Sequence, residues 1–465
     1  MSTAPASQEI YNSKSVWRIG FHIAIGFFII GCNLGNYNSV QNNISDTLHW
    51  KSHKDLLIPL MAALMPIGAI FGSILASPLS NKKGRRKAFI FSDIISIISS
   101  IFFIIPFTEC FAIGRFLSGF ASGLFTVLCP VYIFERAPIE IGGKIGALIS
   151  MNLTFGIVLM YALALPLPEE DCEDYDMNYW WIFMFSIQGI AGIIQLVLFM
   201  VKYKYDSPIW LVEKNRIEEA RKSSSQIYRQ DSVTNIIQTL QKIIEESKAG
   251  ENLHGSKYSD LFLCRKHHSK TLRIGCMFNI IYQICGINAI LTYSTKIFSD
   301  FGDEFLARVL TLSAGFANMG SALFLFPLID KYKRKPTLCW GCLGMAICLI
   351  FLGAFSLHYT SMLPHLIFIL AYLIFFEISI GPLCWIILGE ILDEKESSIC
   401  YGLCWTAAAV VVFIFPLMYD GIGISITFFI FGGICLLSII YFWCDLIETR
   451  GKSRTELRVE LYRKQ

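Results

Sequence analysis

Long apolar runs decide what this chain can become. Residues 19–30, 56–79, 182–201, 366–376 and 407–418 are nearly unbroken stretches of aliphatic, aromatic and small side chains. Several approach the roughly 20 residues that a helix needs to cross a bilayer core. With 54% hydrophobic and only 16% charged side chains, the chain cannot hide that surface in a water-soluble core, where about a quarter of residues are charged. Lipid is therefore its solvent, and a polytopic helical membrane protein is expected. The net charge of +3 says little, because the placement of lysine and arginine sets orientation.

Breaking the apolar runs at charge clusters predicts twelve spans: 19–40, 55–79, 88–106, 111–131, 144–166 and 179–202, then 272–295, 306–329, 337–357, 363–386, 400–419 and 423–444. Every second connection is basic, with Lys82, Lys83, Arg85, Arg86 and Lys87 after the second span and Lys331, Lys333, Arg334 and Lys335 after the eighth. The loop after the fifth span carries Glu169, Glu170, Asp171, Glu173, Asp174 and Asp176 instead. The positive-inside rule then puts both termini and the basic loops in the cytosol. The expected organisation is a cytosolic segment 1–18, a six-helix bundle 19–202, a charged helical linker 203–271, a second six-helix bundle 272–444 and a cytosolic tail 445–465. Lys14 and Arg18 precede the first run without a cleavage pattern after it, so no removable signal peptide is expected.

The two halves repeat each other. Asn81-Lys82-Lys83-Gly84-Arg85-Arg86 closes the second span and Asp330-Lys331-Tyr332-Lys333-Arg334-Lys335 the eighth. At nearly the same separation, Glu135 answers Glu390 and Asp206 answers Glu448. Basic loops alone are common to membrane proteins; the repeating carboxylates point to a duplicated six-helix unit, with substrate held at midplane between pseudo-symmetric bundles. Arginines at these helix ends are expected to pair with Glu135, Glu390, Asp206 or Glu448 when the cytosolic ends of the halves close, poising a two-state equilibrium by about 1–3 kcal/mol.

Further motifs are dispersed along the chain. Gly114-Arg115-Phe116 opens the fourth span, and Pro130-Val131-Tyr132-Ile133-Phe134-Glu135-Arg136-Ala137-Pro138 closes it. Asp206-Ser207-Pro208-Ile209-Trp210-Leu211 follows the sixth, and Gln283-Ile284-Cys285-Gly286-Ile287-Asn288-Ala289 lies in the seventh. Gly381-Pro382-Leu383-Cys384-Trp385 with Glu390, and Glu448-Thr449-Arg450-Gly451, complete the set. In this order they resemble the sugar-transporter family of the major facilitator superfamily, in particular its facilitative hexose carriers, from about Gly20 to Leu457. The resemblance implies the major facilitator fold, an all-α protein of twelve transmembrane helices in two bundles, and monosaccharide transport by alternating access at the plasma membrane.

A sugar is a ring of hydroxyls, so its site wants groups that donate and accept, here Gln283, Asn288 and Asn318, and a flat apolar face, here Trp385. Amides in a spanning helix need partners or water, so Gln283 and Asn288 are expected at a wet cavity, with Gly286 between them breaking the helix; tying helices together is the plainer role, above all for Asn318. Glu377, before the bend expected at Gly381-Pro382, is read as the one serious intramembrane carboxylate. The resemblance assigns it to gating and gives Arg115 a structural pairing role.

Departures from the family alter the pocket. Tyr282 stands where hexose carriers often have a second glutamine, and the fifth-span glutamine falls on Ser150 or Asn152. The eleventh-span Asn-Trp pair is Ala408-Ala409, with an indole one turn away at Trp405, and the arginine expected after the tenth span falls near Ser397. Another monosaccharide or a polyol therefore stays open as substrate. The first-span stretch Gly35-Asn36-Tyr37-Asn38-Ser39 lacks the aspartate of proton-coupled relatives, which favours facilitated diffusion over proton symport. His22 is read as bonded to backbone or water rather than as a coupling group.

The fifteen cysteines fall mostly in apolar runs, where they act as small hydrophobes, and Cys339-Trp340-Gly341-Cys342 is read as packing. Cys264, His267 and His268 are read as a solvated basic patch rather than a metal site, and Asn43-Ile44-Ser45 matches the N-glycosylation pattern. No nucleophile–base pair or phosphate-cradling glycine loop appears, so neither an enzyme, a cofactor nor use of ATP is expected. The expected partners are a small-molecule sugar and the bilayer, not nucleic acid. A carrier of another solute and a transporter-like sensor remain alternatives, the sensor disfavoured by the short tail after Cys444.

Overall fold

The computed structural model describes residues 11–50, 53–138, 141–167, 179–254, 269–300, 302–325, 331–357, 362–450 and positions 452, 457 and 460. The acidic stretch 169–176, Asp330, and Cys264 with His267 and His268 lie outside them. The first bundle comprises α1 (Ser13–Gly35), a short α2 (Gln41–Thr47), α3 (Lys54–Lys83), α4 (Arg85–Ile104), α5 (Thr108–Arg136), α6 (Gly142–Leu163) and α7 (Trp180–Val201). Three linker helices follow, α8 (Pro208–Glu213), α9 (Ile217–Ser224) and α10 (Gln230–His254). The second bundle comprises α11 (Ser269–Ile284), α12 (Ile287–Ser299), α13 (Glu304–Leu325), α14 (Arg334–Ser356), α15 (Met362–Ile378), α16 (Ile380–Ile391), α17 (Glu394–Ile422) and α18 (Ile424–Asp445).

Among the described residues eleven segments are long and apolar enough to cross a membrane, counting α11–α12 and α15–α16 as one each, and the 22-residue α13 takes the eighth place in order. Their outer surfaces are greasy: Leu437 is 66% exposed, Ile440 63% and Trp443 63%, which only lipid accommodates without penalty. The multi-pass membrane class is thus a property of the surface as well as of the sequence.

Helix ends depart from the hydropathy limits where polar groups extend them. Asn12 caps α1, its Oδ1 accepting from the Ser15 N–H at 3.3 Å, so the helix begins before the apolar run. Inside the first bundle α3 and α5 meet through small residues; a Cβ at Gly119 would fall 1.8 Å from the Met65 carbonyl oxygen, so only glycine permits this approach. Two spans are broken. Gly286, at φ +97°, separates α11 from α12, where a side chain would be strained. The tenth span breaks at Ser379 rather than at Gly381: the Pro382 ring excludes the carbonyl four residues back, that of Ile378, the last residue of α15.

The bundles meet mainly along α17 against α3 and α13 against α6, with α16 on α5 and α6 and α12 on α1. The basic helix ends, Arg85 at the start of α4 and Arg334 at the start of α14, lie on one side, hereafter the basic face. The N-terminal segment is tied to the linker helices by Asn12 N–H donating to the Ile227 carbonyl at 2.7 Å.

Candidate functional site

The duplicated motifs build the same device twice. Asp206 accepts from the backbone N–H groups of Arg85 at 3.0 Å and Arg86 at 3.2 Å, capping α4, while the Arg85 guanidinium holds Glu135 through Nε at 3.0 Å and Nη2 at 2.7 Å. Glu448 accepts from Arg334 at 3.1 Å and Lys335 at 3.2 Å, capping α14, while Arg334 pairs with Glu390 and donates to Thr449 at 2.7 Å. A carboxylate at a helix N-terminus meets both the free N–H groups and the positive end of the dipole. Burial pushes the Asp206 carboxyl above its ordinary range, against the Ser207 and Arg86 N–H groups and the Arg85 charge, which favour the anion. Arg86 turns its side chain to the carbonyls of Phe199 and Tyr203.

All these partners lie within their own half, not across the halves as expected. The link across is one that sequence reasoning missed: Glu394, the first residue of α17, accepts from Arg85 Nη2 at 2.9 Å and from Ser80 Oγ of α3. Its signal was a carboxylate four residues after Glu390, close to where the family's arginine was sought. Beside it, Phe134 of α5 fits against Gly389 of α16, where a Cβ would come within 2.8 Å of the ring.

The opposite face is closed by neutral side chains and by Arg308, whose Nη1 donates to the Leu167 carbonyl of the first bundle. Asn38 Nδ2 donates to Ser294 Oγ at 2.7 Å and its Oδ1 accepts from the Thr295 N–H at 3.2 Å, while the hydroxyls of Ser39 and Thr295 are hydrogen-bonded to each other at 3.0 Å. Tyr161 of α6 donates to the Leu291 carbonyl at 2.6 Å. Outside this seal a cavity of about 340 Å³ opens between the bundles.

Between the two seals remains a cavity of about 20 Å³, lined by Asn33, Tyr37 and Arg115 from the first bundle and Asn288, Thr292, Trp405 and Ala408 from the second, among others. Of the expected sugar-binding residues only Asn288 lines it. Gln283 stands behind, accepting from Asn288 Nδ2 at 2.6 Å and donating to Cys404 Sγ at 3.1 Å, so it aims the amide that faces the cavity. Trp405 lines the cavity and donates to Thr126 Oγ1 across the interface at 3.3 Å, which places an indole at the site beside the small Ala408. Asn33, missed in the sequence, donates to Ser122 at 3.1 Å and keeps Oδ1 without a partner.

Trp385 lies at the centre of a neighbouring aromatic cluster, with ring centroids 5.7 Å from Tyr282, 5.4 Å from Tyr401 and 5.2 Å from Phe27 of the other bundle; its Nε1 is buried without a partner. Ser150 is not at the cavity but donates to Glu377 Oε2 at 3.1 Å, joining α6 to α15 one turn from the Pro382 break. Asn318 is buried in α13 and lines none of these cavities. Arg115 is buried two turns into α5; it donates to the carbonyls of Met61 at 3.2 Å, Ala62 at 3.4 Å and Asn33 at 3.4 Å and to Asn36 Oδ1 at 3.3 Å, and lies 4.9 Å from the Tyr37 ring centre.

Two other expectations change. Glu377 is not the one intramembrane carboxylate, because Asp93 of α4 is fully buried as well. Asn43, in the glycosylation pattern, is 2% exposed within α2 and is not presented for modification. His22 bonds the Gln195 carbonyl through Nε2 at 3.2 Å.

Two bundles of repeated construction, joined on both faces around a polar cavity between them, define the class as a membrane transporter. The profile of the family described as "Sugar (and other) transporter" matches residues 19–461, and the chain belongs to that family of the major facilitator superfamily. It is 29% identical over 413 residues to the Probable metabolite transport protein CsbC of Bacillus subtilis, covering 86% of each chain. It is 28% identical over 448 residues to the Glucose transporter GlcP of Staphylococcus epidermidis, covering 93% of this chain and 96% of that one. The solved structure of the proton:xylose symporter XylE bound to 6-bromo-6-deoxy-D-glucose superimposes with a TM-score of 0.86 at 24% identity, over 97% of this chain and all of that one.

Proposed function

We propose that the chain carries a monosaccharide, a hexose first among them, across the plasma membrane by alternating access and down its gradient, with the basic face in the cytosol. Sugar hydroxyls meet Asn288, aimed by Gln283, together with Asn33 and the indoles of Trp405 and Trp385. Tyr282 shapes the aromatic wall, and Asn318 and Ser150 act on the walls rather than on the sugar. A cavity of about 20 Å³ is smaller than any sugar, so the halves part to admit one. The Asn38–Ser294 seal opens on one side, or the Arg85–Glu394 link on the other. Arg86, Arg334, Glu135, Glu390, Asp206 and Glu448 keep each half rigid at its basic end, and Glu377 with Ser150 joins the halves at the tenth-span break.

The observation that carries the downhill reading is the surroundings of Arg115. Its buried charge is shared among three backbone carbonyls and the Asn36 amide, so the first span offers no carboxylate to trade a proton there. Ala408 widens the site where the family carries bulk, so a polyol is the second substrate to try. Uptake of labelled glucose, fructose and a polyol into proteoliposomes, with and without an imposed pH gradient, tests the reading. Saturable uptake that stops at equal sugar concentration on the two sides whether or not the gradient is imposed, and that is lost in Gln283→Ala and Asn288→Ala, is expected. Gradient-driven accumulation overturns the downhill mechanism, and no sugar uptake by folded protein overturns the substrate class.

A further inference from the structure

Asp93 is 0% exposed in α4, and neither carboxylate oxygen has a hydrogen-bond partner. The hydrogen bonds made by the polar side chains of the neighbouring helices go elsewhere. On its own helix Ser92 donates to the Ala88 carbonyl, Ser96 to that of Gln188 and Ser99 to that of Ser96. On α7, Gln188 Nε2 donates to Ser99 Oγ at 3.2 Å and Gln195 Nε2 to the His22 carbonyl at 2.7 Å, leaving the Oε1 atoms of both amides buried without a donor. On α5, Cys129 gives its thiol proton to the Ile23 carbonyl and Tyr132 its hydroxyl proton to Tyr205.

The charged groups do not reach it. Arg85 is eight residues earlier, about 12 Å along the helix, and is held by Glu135 and Glu394. Arg86 turns to the carbonyls of Phe199 and Tyr203, and Arg136 gives its Nη atoms to Gln226 and the carbonyls of Tyr205 and Asp206. On α3 the charged residues, Lys54, Asp55, Lys82 and Lys83, lie at its two ends. His22 of α1 is bonded to α7 through the Gln195 carbonyl.

The α4–α7 seam therefore holds four buried acceptor oxygens, on Asp93, Gln188 and Gln195, that receive no hydrogen bond. An ionised carboxylate here would keep the full cost of leaving water, whereas one proton removes the charge and supplies a donor. On the basic side of this layer Tyr203, just past the end of α7, stacks on His22 at 4.4 Å, and His22 bonds the main chain of Gln195, within one turn of Gly192, whose backbone packs against the Asp93 carbonyl. No residue of α4 or α7 lines the central cavity, so a proton at Asp93 does not meet the substrate.

We propose that Asp93 is a proton-binding site inside the N-terminal bundle, filled from the basic face past His22, and that transport requires this proton in place. It is held by the protein, not carried with the sugar. Infrared spectra of the purified wild type in lipid, compared with Asp93→Asn, test it. A carbonyl band of a protonated carboxyl, present in the wild type and missing in the variant, is expected; identical spectra in that region overturn the site. Should Asp93→Asn not fold, Gln195→Leu takes away a neighbouring acceptor and shifts the same band, and an unmoved band overturns the proposal. His22→Phe is expected to slow deuteration of the band severalfold; unchanged deuteration overturns the route. Sugar exchange is expected to fall by about tenfold per pH unit once the basic-face pH passes the site's midpoint, and Asp93→Asn to lose that fall. A variant that keeps the wild-type response overturns the requirement. Sugar-driven proton uptake that disappears in Asp93→Asn overturns the held proton and the downhill mechanism together, while the site itself stands.

Discussion

Glu394, which opens α17 in the second bundle, accepts a hydrogen bond at 2.9 Å from Arg85, which opens α4 in the first. Arg85 at the same time holds Glu135 of its own half, so one guanidinium ties the rigid end of a bundle to the moving interface. The cation comes from the first bundle and the anion from the second, whereas the resemblance led to an arginine in the second, near Ser397. Both side chains are largely shielded from solvent, where a charge-assisted bond is stronger than at an open surface.

Glu394→Gln keeps the shape of that contact and removes its charge. The arrangement open on the basic face is expected to gain about tenfold in population, or about 1.4 kcal/mol. Hydrogen exchange at the starts of α4 and α17 is expected to speed up, with no change at the Asn38–Ser294 seal. Unchanged exchange at both helix starts would mean that the link does not hold the halves.

Gly84 has φ +95°, and a Cβ there would lie 2.2 Å from Asp206 Oδ2. Gly84→Ala is expected to lose about 1–3 kcal/mol from the backbone alone, and more from displacing the cap of α4. Thermal unfolding in detergent measures it, and a midpoint within error of wild type contradicts the cap.

Gly286→Ala acts on function more than on folding. At φ +97° the new side chain costs about 1–2 kcal/mol, and its Cβ meets Phe431 at 3.0 Å. Straightening the break moves Asn288 away from Gln283, so transport is expected to fall further than the melting temperature does. Equal loss of both quantities would make the break purely structural.

Asn33→Leu removes the unpartnered Oδ1 at the central cavity. A lost hydrogen bond of about 0.5–1.5 kcal/mol predicts a KM raised by about two- to tenfold. Trp180→Phe at the bundle's rim, where the indole is 37% exposed, leaves KM unchanged. Initial-rate uptake over a range of sugar concentrations separates the two.

The helices and their halves were legible because hydropathy acts locally: a run such as 182–201 is apolar whatever it touches. Gly286 and Pro382 were legible as breaks for the same reason, since backbone sterics belong to the residue, though the tenth-span kink came at Ser379 because proline acts on the carbonyl before it. Asn288 was found at the cavity, while Gln283 proved to be its support; an amide in a span announces polarity but not which side of the helix it faces. Asp93 went unnoticed because Ser92, Ser96 and Ser99 around it make the third span look like a mildly polar surface.

By itself, then, the sequence determined a membrane solvent, a repeated six-helix plan and the residue types of a sugar carrier, all of which depend on composition and on spacing along one helix. Only the tertiary structure decided that Glu394 rather than Glu390 meets the other half, that Trp405 reaches the cavity and Ser150 does not, and that Asp93 has no partner. Each depends on which faces of distant helices approach within about 3 Å, the range over which a hydrogen bond forms or fails.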